Sequence, residues 1–295
     1  MENECVFMNS IGLMKSCDFF STELSVHYLQ KMINIQFDHM TIYVRGEMLS
    51  YFVYDILPKI NKLFIIVSGD SDLTFPYEVL SKEQMDLLYN CHYLVKIFSQ
   101  NTTVQNDVKI IQIPIGLDYH TISNNPNHIW KLCDEPHIPC LQEKLLMTIK
   151  NKTKPFYERE IKIYCNFTLS DFQDRWNHRK DSLKIIPKEL LKINNHFTPR
   201  SINWNMTTTY AFVLSPFGRG MDCHRTWEIL CLGSIPIVKA PEFKQLFNDL
   251  PVLIINEWNE INKELLENTI LSFKNKKFDY KKLELKYWLN LIQHS

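Results

Sequence analysis

The sequence predicts an α/β protein with two parallel sheets. Three observations lead there. Short β-branched runs alternate with helical stretches, the pattern lapses between about residues 121 and 158 and then restarts, and the scarce glycines gather where strands give way to helices. At 295 residues the chain has room for two domains of ordinary size.

The elements follow in order. Thr41–Arg45 (TIYVR) reads as a strand and Glu47–Ile60 as a helix closed near Pro58. Leu63–Ser68 (LFIIVS) is nearly all apolar, as a strand covered on both faces must be. Ser81–Asn90 reads as a helix and Val108–Ile113 as a strand. The stretch that follows is rich in Asn, Pro, His and Lys, with one amphipathic piece at Leu141–Lys150, and a domain boundary is placed there: residues 1–150 and 151–295. Beyond it come a strand at Ile161–Asn166, helical material through Leu191, and a strand at Ala211–Leu214. A helix at Cys223–Leu232, a strand at Ile235–Val238, a short helix near Phe243–Phe247 and a strand at Val252–Ile255 complete the alternation. A helix over about 259–274 and an amphipathic segment, Tyr280–Ile292, follow; the latter is expected to pack back on the first domain.

Composition narrows the function. Hydrophobic residues make up 45% and charged residues 22%, an ordinary globular balance. The 33 basic and 33 acidic residues cancel, so no basic excess points to nucleic acid. The eight cysteines are scattered without zinc-site spacing, as expected of reduced thiols in a cytoplasmic protein. No signal peptide is evident, and no apolar run approaches the roughly 18–20 residues of a membrane span.

Five of the seven glycines (Gly69, Gly116, Gly218, Gly220 and Gly233) fall at strand–helix junctions. In open α/β sheets ligands bind beyond the carboxyl ends of the strands, which makes the first four a candidate binding rim. The most informative segment is Tyr210–Val238, YAFVLSPFGRGMDCHRTWEILCLGSIPIV. A strand runs into Ser215-Pro216-Phe217-Gly218-Arg219-Gly220, Asp222 is placed to cap a helix, and Cys223, His224 and Arg225 fill that helix's first turn. A helix N-terminus, a glycine loop and two arginines together suit a diphosphate. Glu228 lies one turn beyond Arg225, where it either accepts from ribose hydroxyls or pairs with Arg225. His224 reads equally as a ligand contact or as a hydrogen-bonded structural residue. The spacing matches neither a P-loop nor G-x-G-x-x-G.

This stretch resembles the C-terminal signature of the exostosin-like glycosyltransferases, especially soluble forms encoded by large DNA viruses and some protists. The likeness extends through LFNDLPVLIINEW and back to FIIVSGDSDLTFP and IPIGLDYH, covering about residues 40–260. It implies a GT-B fold, in which two Rossmann-like domains face a cleft. The C-terminal domain would hold a nucleotide sugar, UDP-linked by preference, and the N-terminal domain a glycan acceptor. By that analogy Arg225 meets the diphosphate and Glu228 the ribose. Ser215, Gly218, Arg219, Gly220, Asp222 and His224 line the same pocket. No resident cofactor or metal is expected.

Asp70 and Asp72 follow a buried strand in D-x-D spacing. They read as an acceptor-side site with one of them as general base, as turn chemistry, or as a metal site of the GT-A kind. Arg45, Asp118 and His120 are placed to line the cleft. The rival from another class is a non-catalytic module that binds a nucleotide or a glycan.

Overall fold

A computed structural model describes residues 1–23 and 25–295. Four strands form the first sheet in chain order: β1 (Met40–Arg45), β2 (Phe64–Gly69), β3 (Leu94–Ser99) and β4 (Ile110–Gln112). The second sheet contains β5 (Glu160–Cys165), β6 (Leu191–Ile193), β7 (Tyr210–Leu214), β8 (Ile235–Val238) and β9 (Leu253–Ile254). Its spatial order is β6-β5-β7-β8-β9, and every pairing in both sheets is parallel.

The alternation of side chains along each strand decides what covers it. Ile42, Val44, Ile66 and Ile97 point to one face, under the helical turns of Gly46–Lys59 and the helix Lys82–Tyr89. Tyr43, Ile65, Val67 and Phe98 point to the other, where they join Met8, Leu13, Trp227, Leu230 and Trp288 in a core shared by both halves of the chain. In the second sheet Phe212, Leu214, Ile235 and Ile237 pack on Trp258 and the helix Lys263–Lys274. β2 and β7 are buried along their whole length, as strands covered on both faces should be.

The carboxyl-end loops of the first sheet meet the loop that follows β7. The Asp222 amide donates to Asn101 Oδ1 at 2.7 Å, and the Ile115 amide donates to Asp222 Oδ2 at 2.7 Å. The chain is thus α/β with two Rossmann-like units facing each other, the GT-B layout expected from the sequence. Near the end of the chain, the Leu285 amide donates to Val6 O and Met8 N to Leu283 O. Trp288 and Ile292 of the helix Leu285–Gln293 then pack with Leu13 and Met14.

Several elements differ from expectation. β3 and β6 are strands that the apolar patterning did not single out. β3 carries Lys96 in its middle, and β6 is a three-residue edge strand. The strand expected over Val108–Ile113 is only Ile110–Gln112, because the Asp107 carboxylate accepts from the Lys109 and Ile110 amides and holds a turn there.

The glycines of the expected rim prove mostly to be packing positions. A Cβ on Gly69 would lie 2.4 Å from Gln100 Oε1, and one on Gly220 would lie 2.9 Å from Asn101 Nδ2. Gly116 has φ +70°, and a Cβ there would lie 2.1 Å from the Met8 carbonyl oxygen. Gly116→Ala should therefore cost more than the roughly 1–2 kcal/mol of a left-handed alanine. A clear drop in melting temperature is expected; an unchanged melting curve would contradict this packing.

Candidate active site

The order β6-β5-β7-β8-β9 is the flavodoxin-like 2-1-3-4-5 arrangement, which reverses direction between β5 and β7. A crevice opens beyond the carboxyl ends of the strands at such a switch point, and ligands bind there. Beyond β5 stands Phe167; beyond β7 runs the loop Ser215–Asp222, leading into the helix His224–Cys231. Arg225 lies in the first turn of that helix, half-buried, with its guanidinium 5.8 Å from the Phe167 ring centroid. Among the described residues it has neither a hydrogen-bond nor a carboxylate partner. Burial lowers its pKa, Glu228 counteracts and Arg179 lowers it further.

Arg179 approaches the same Phe167 ring, at 5.9 Å. It donates to Phe217 O at 3.3 Å and Thr168 O at 2.9 Å, and burial lowers its pKa as well. Its place is fixed by Asp174, whose two carboxylate oxygens accept from the Arg179 and Lys180 amides at the start of the helix His178–Ile185. Two half-buried guanidiniums thus gather around one aromatic ring at a helix N-terminus, an arrangement that attracts a polyanion. Arg179 carries no local signal, since His178-Arg179-Lys180-Asp181 looks like a solvated face.

The loop itself corrects part of the sequence reading. The Ser215 hydroxyl is buried against Thr226 Oγ1 at 2.8 Å, and the Gly218 amide donates to Gly220 O at 3.1 Å. Neither group is free for an anion. Gly218 lies against Arg179, 2.9 Å from Nη2 to a Cβ built on it, whereas Gly220 lies against Asn101 of the other sheet. Arg219 stacks on Phe172 at 4.2 Å and pairs with Asp72 at 3.3 Å.

Asp222 is not a helix cap. Cys223 occupies the cap position, and the Asp222 carboxylate is buried, accepting from the Ile115 amide and from Trp227 Nε1 at 2.9 Å. Burial pushes its pKa up to about 7 against the Ile115, Trp227 and Cys223 donors. It is a bolt between the two sheets, out of reach of a ligand.

On the facing side Asp118 is buried and accepts from the Thr121 amide at 2.9 Å. His120 Nδ1 lies 3.2 Å from Asp118 Oδ1, and Arg200 Nη2 lies 3.4 Å from Oδ2. Burial by itself raises the Asp118 pKa, but His224, His120, Arg200 and the Thr121 amide outweigh it and hold the group well below the usual carboxylate range. His224 Nδ1 is 2.7 Å from Gly116 O, so that nitrogen carries the proton, and its ring meets His120 edge-on at 6.0 Å. Glu228 has Arg200 as its ionic partner, at 3.9 Å, rather than Arg225. Arg200, buried and absent from the sequence reading, therefore links Asp118 to Glu228 across the two halves.

Asp70 and Asp72 do not form a paired acidic site. Asp70 is held by Arg45 at 2.8 Å and Asp72 by Arg219. Arg45 also donates to Thr22 O at 3.1 Å, which leaves it part of this pair rather than free in the cleft. Among the described residues no cluster of three or more His, Cys, Asp or Glu is arranged to hold a metal ion. No helix among them is long and apolar enough to cross a membrane.

No family model matches the chain, and no curated protein matches it. It is similar to a solved structure described as trehalose-6-phosphate from E. coli bound with UDP-2-fluoro glucose, with TM-score 0.43 and 10% identity over 92% of this chain and 76% of that one. It is similar also to an α,α-trehalose-phosphate synthase (UDP-forming) from Burkholderia xenovorans, with TM-score 0.39 and 8% identity over 90% of this chain and 74% of that one. An α1,3-fucosyltransferase with GDP-fucose gives TM-score 0.37 and 14% identity over 96% of both chains.

Proposed function

We propose that the protein transfers a sugar from a nucleoside-diphosphate donor, UDP-linked by preference, to a hydroxyl of a glycan acceptor, as an exostosin-like enzyme. Residues 151–295 hold the donor and residues 1–150 present the acceptor. One observation carries this: Arg225 is a half-buried cation with no ion pair among the described residues, at the switch point of the second sheet, with Arg179 beside it. Gathering two guanidiniums away from water is unfavourable unless an anion completes the site. A diphosphate fits the cradle, and Glu228 one turn on is placed for a ribose.

The same groups stabilise the departing diphosphate, as charge develops on it while the glycosidic bond breaks. Transfer is therefore expected to continue in EDTA. In support, the two aspartates with metal-site spacing are each paired with an arginine.

A thermal-shift panel of UDP, GDP, CMP and their sugars tests the donor site. A ligand that binds only the folded chain raises stability by RT ln(1 + [L]/Kd). One nucleoside diphosphate should raise the melting temperature more than its monophosphate does. Equal shifts for monophosphate and diphosphate would contradict a site built for two phosphates.

A further inference from the structure

We propose that His120, backed by Asp118, is the base that takes the proton from the acceptor hydroxyl, a role that rests on the transferase reading above. His120 Nδ1 faces the Asp118 carboxylate at 3.2 Å. An ionised carboxylate only accepts, so Nδ1 carries the hydrogen and the neutral ring keeps a bare lone pair on Nε2. The His120 side chain is 26% exposed and can reach a substrate, while Asp118 behind it is 7% exposed. Asp118 is itself fixed by the Thr121 amide and by Arg200, so the carboxylate behind the imidazole is held in place.

The place of the pair in the fold also fits. Asp118 and His120 follow β4, where the carboxyl-end loops of the first sheet face the helix His224–Cys231 and thus the turn that carries Arg225. Arg200 spans Asp118 and Glu228, joining the base to the donor helix through one buried guanidinium. His224 is the weaker candidate, because the partner of its Nδ1 is a neutral backbone carbonyl, which balances an imidazolium less than the carboxylate behind His120 does. Asp70 and Asp72, the candidates from the sequence, are each engaged by an arginine.

In the step itself the acceptor oxygen forms a bond to the anomeric carbon while the bond from that carbon to the diphosphate oxygen breaks. The electron pair of the broken bond leaves on the diphosphate. The hydroxyl proton passes to His120 Nε2, and Asp118 stabilises the imidazolium that results.

The test uses the whole chain with His120→Asn, which keeps a polar side chain beside Asp118, and His120→Ala, each checked for an unchanged melting curve. Turnover should fall by about 100- to 10,000-fold, the usual range for a general base. The melting-temperature shift caused by UDP or GDP, whichever binds, should stay as in wild type. Added imidazole should restore part of the activity of His120→Ala, which a merely structural role would not allow. Wild-type turnover in both variants overturns the base assignment alone, and so does a collapse confined to Asp72→Asn. A wild-type chain that binds nucleotide but transfers no sugar overturns the transferase reading, and the base falls with it.

Discussion

Arg225→Ala is expected to weaken nucleoside-diphosphate binding by about 10- to 100-fold, equivalent to the roughly 1.5–3 kcal/mol of a hydrogen bond to a charged group. The fold should survive, because Arg225 makes no hydrogen bond or ion pair among the described residues, and its guanidinium sits over the Phe167 ring. Arg225→Lys should recover only part of the affinity, since an ammonium lacks the planar fork that grips two phosphate oxygens. Calorimetric titration of the wild type and both variants measures this directly. Equal affinity in Arg225→Ala would remove the phosphate from this helix.

The second large effect concerns stability. Asp222→Ala removes an acceptor from two donors at once, the part-buried Ile115 amide and the buried Trp227 Nε1. At about 1–3 kcal/mol for each orphaned group, the loss should be roughly 2–6 kcal/mol. Because the two sheets meet through this residue, unfolding could separate into two steps, so the full denaturation curve matters more than one midpoint.

The pH dependence has a definite sign. The folded pKa of Asp222, about 7, stands above the ordinary aspartate value of 3.8. Between those values the folded chain keeps a proton that the unfolded chain has released. The contribution is fully present below the unfolded pKa and is lost as pH rises toward 7. Asp222→Asn should flatten that part of the stability profile. A wild-type profile that is already flat there would contradict the raised pKa.

Much of the second sheet was legible from the sequence because its strands are short, apolar and punctuated. AFVL and IPIV stand on either side of one helix, and both become fully buried strands. The signature between them spans the switch-point loop and the start of the helix that carries Arg225. What local pattern could not carry was the competition for each side chain. Asp222 looks like a helix cap, yet Trp227 and the distant Ile115 amide claim its carboxylate. Gly220 looks like a phosphate-loop glycine, yet its missing Cβ makes room for Asn101. Arg200 sits in an unremarkable Pro-Arg-Ser run, and only the fold brings it to Asp118 and Glu228. Ile115, Asn101 and Asp118 lie in the other half of the chain, beyond what spacing reports.

The central claim, sugar transfer from a nucleotide donor held at Arg225, is most directly tested by release of nucleoside diphosphate. The assay presents UDP- and GDP-sugars with a mixed panel of glycan acceptors in EDTA, for wild type and Arg225→Ala side by side. The account predicts release that needs both donor and acceptor, persists in EDTA and fails in Arg225→Ala at a donor concentration that saturates the wild type only. Tight nucleotide binding without release from any donor would instead make the chain a binding module. Release abolished by EDTA and restored by Mn²⁺ would contradict the departure of the diphosphate on arginines alone.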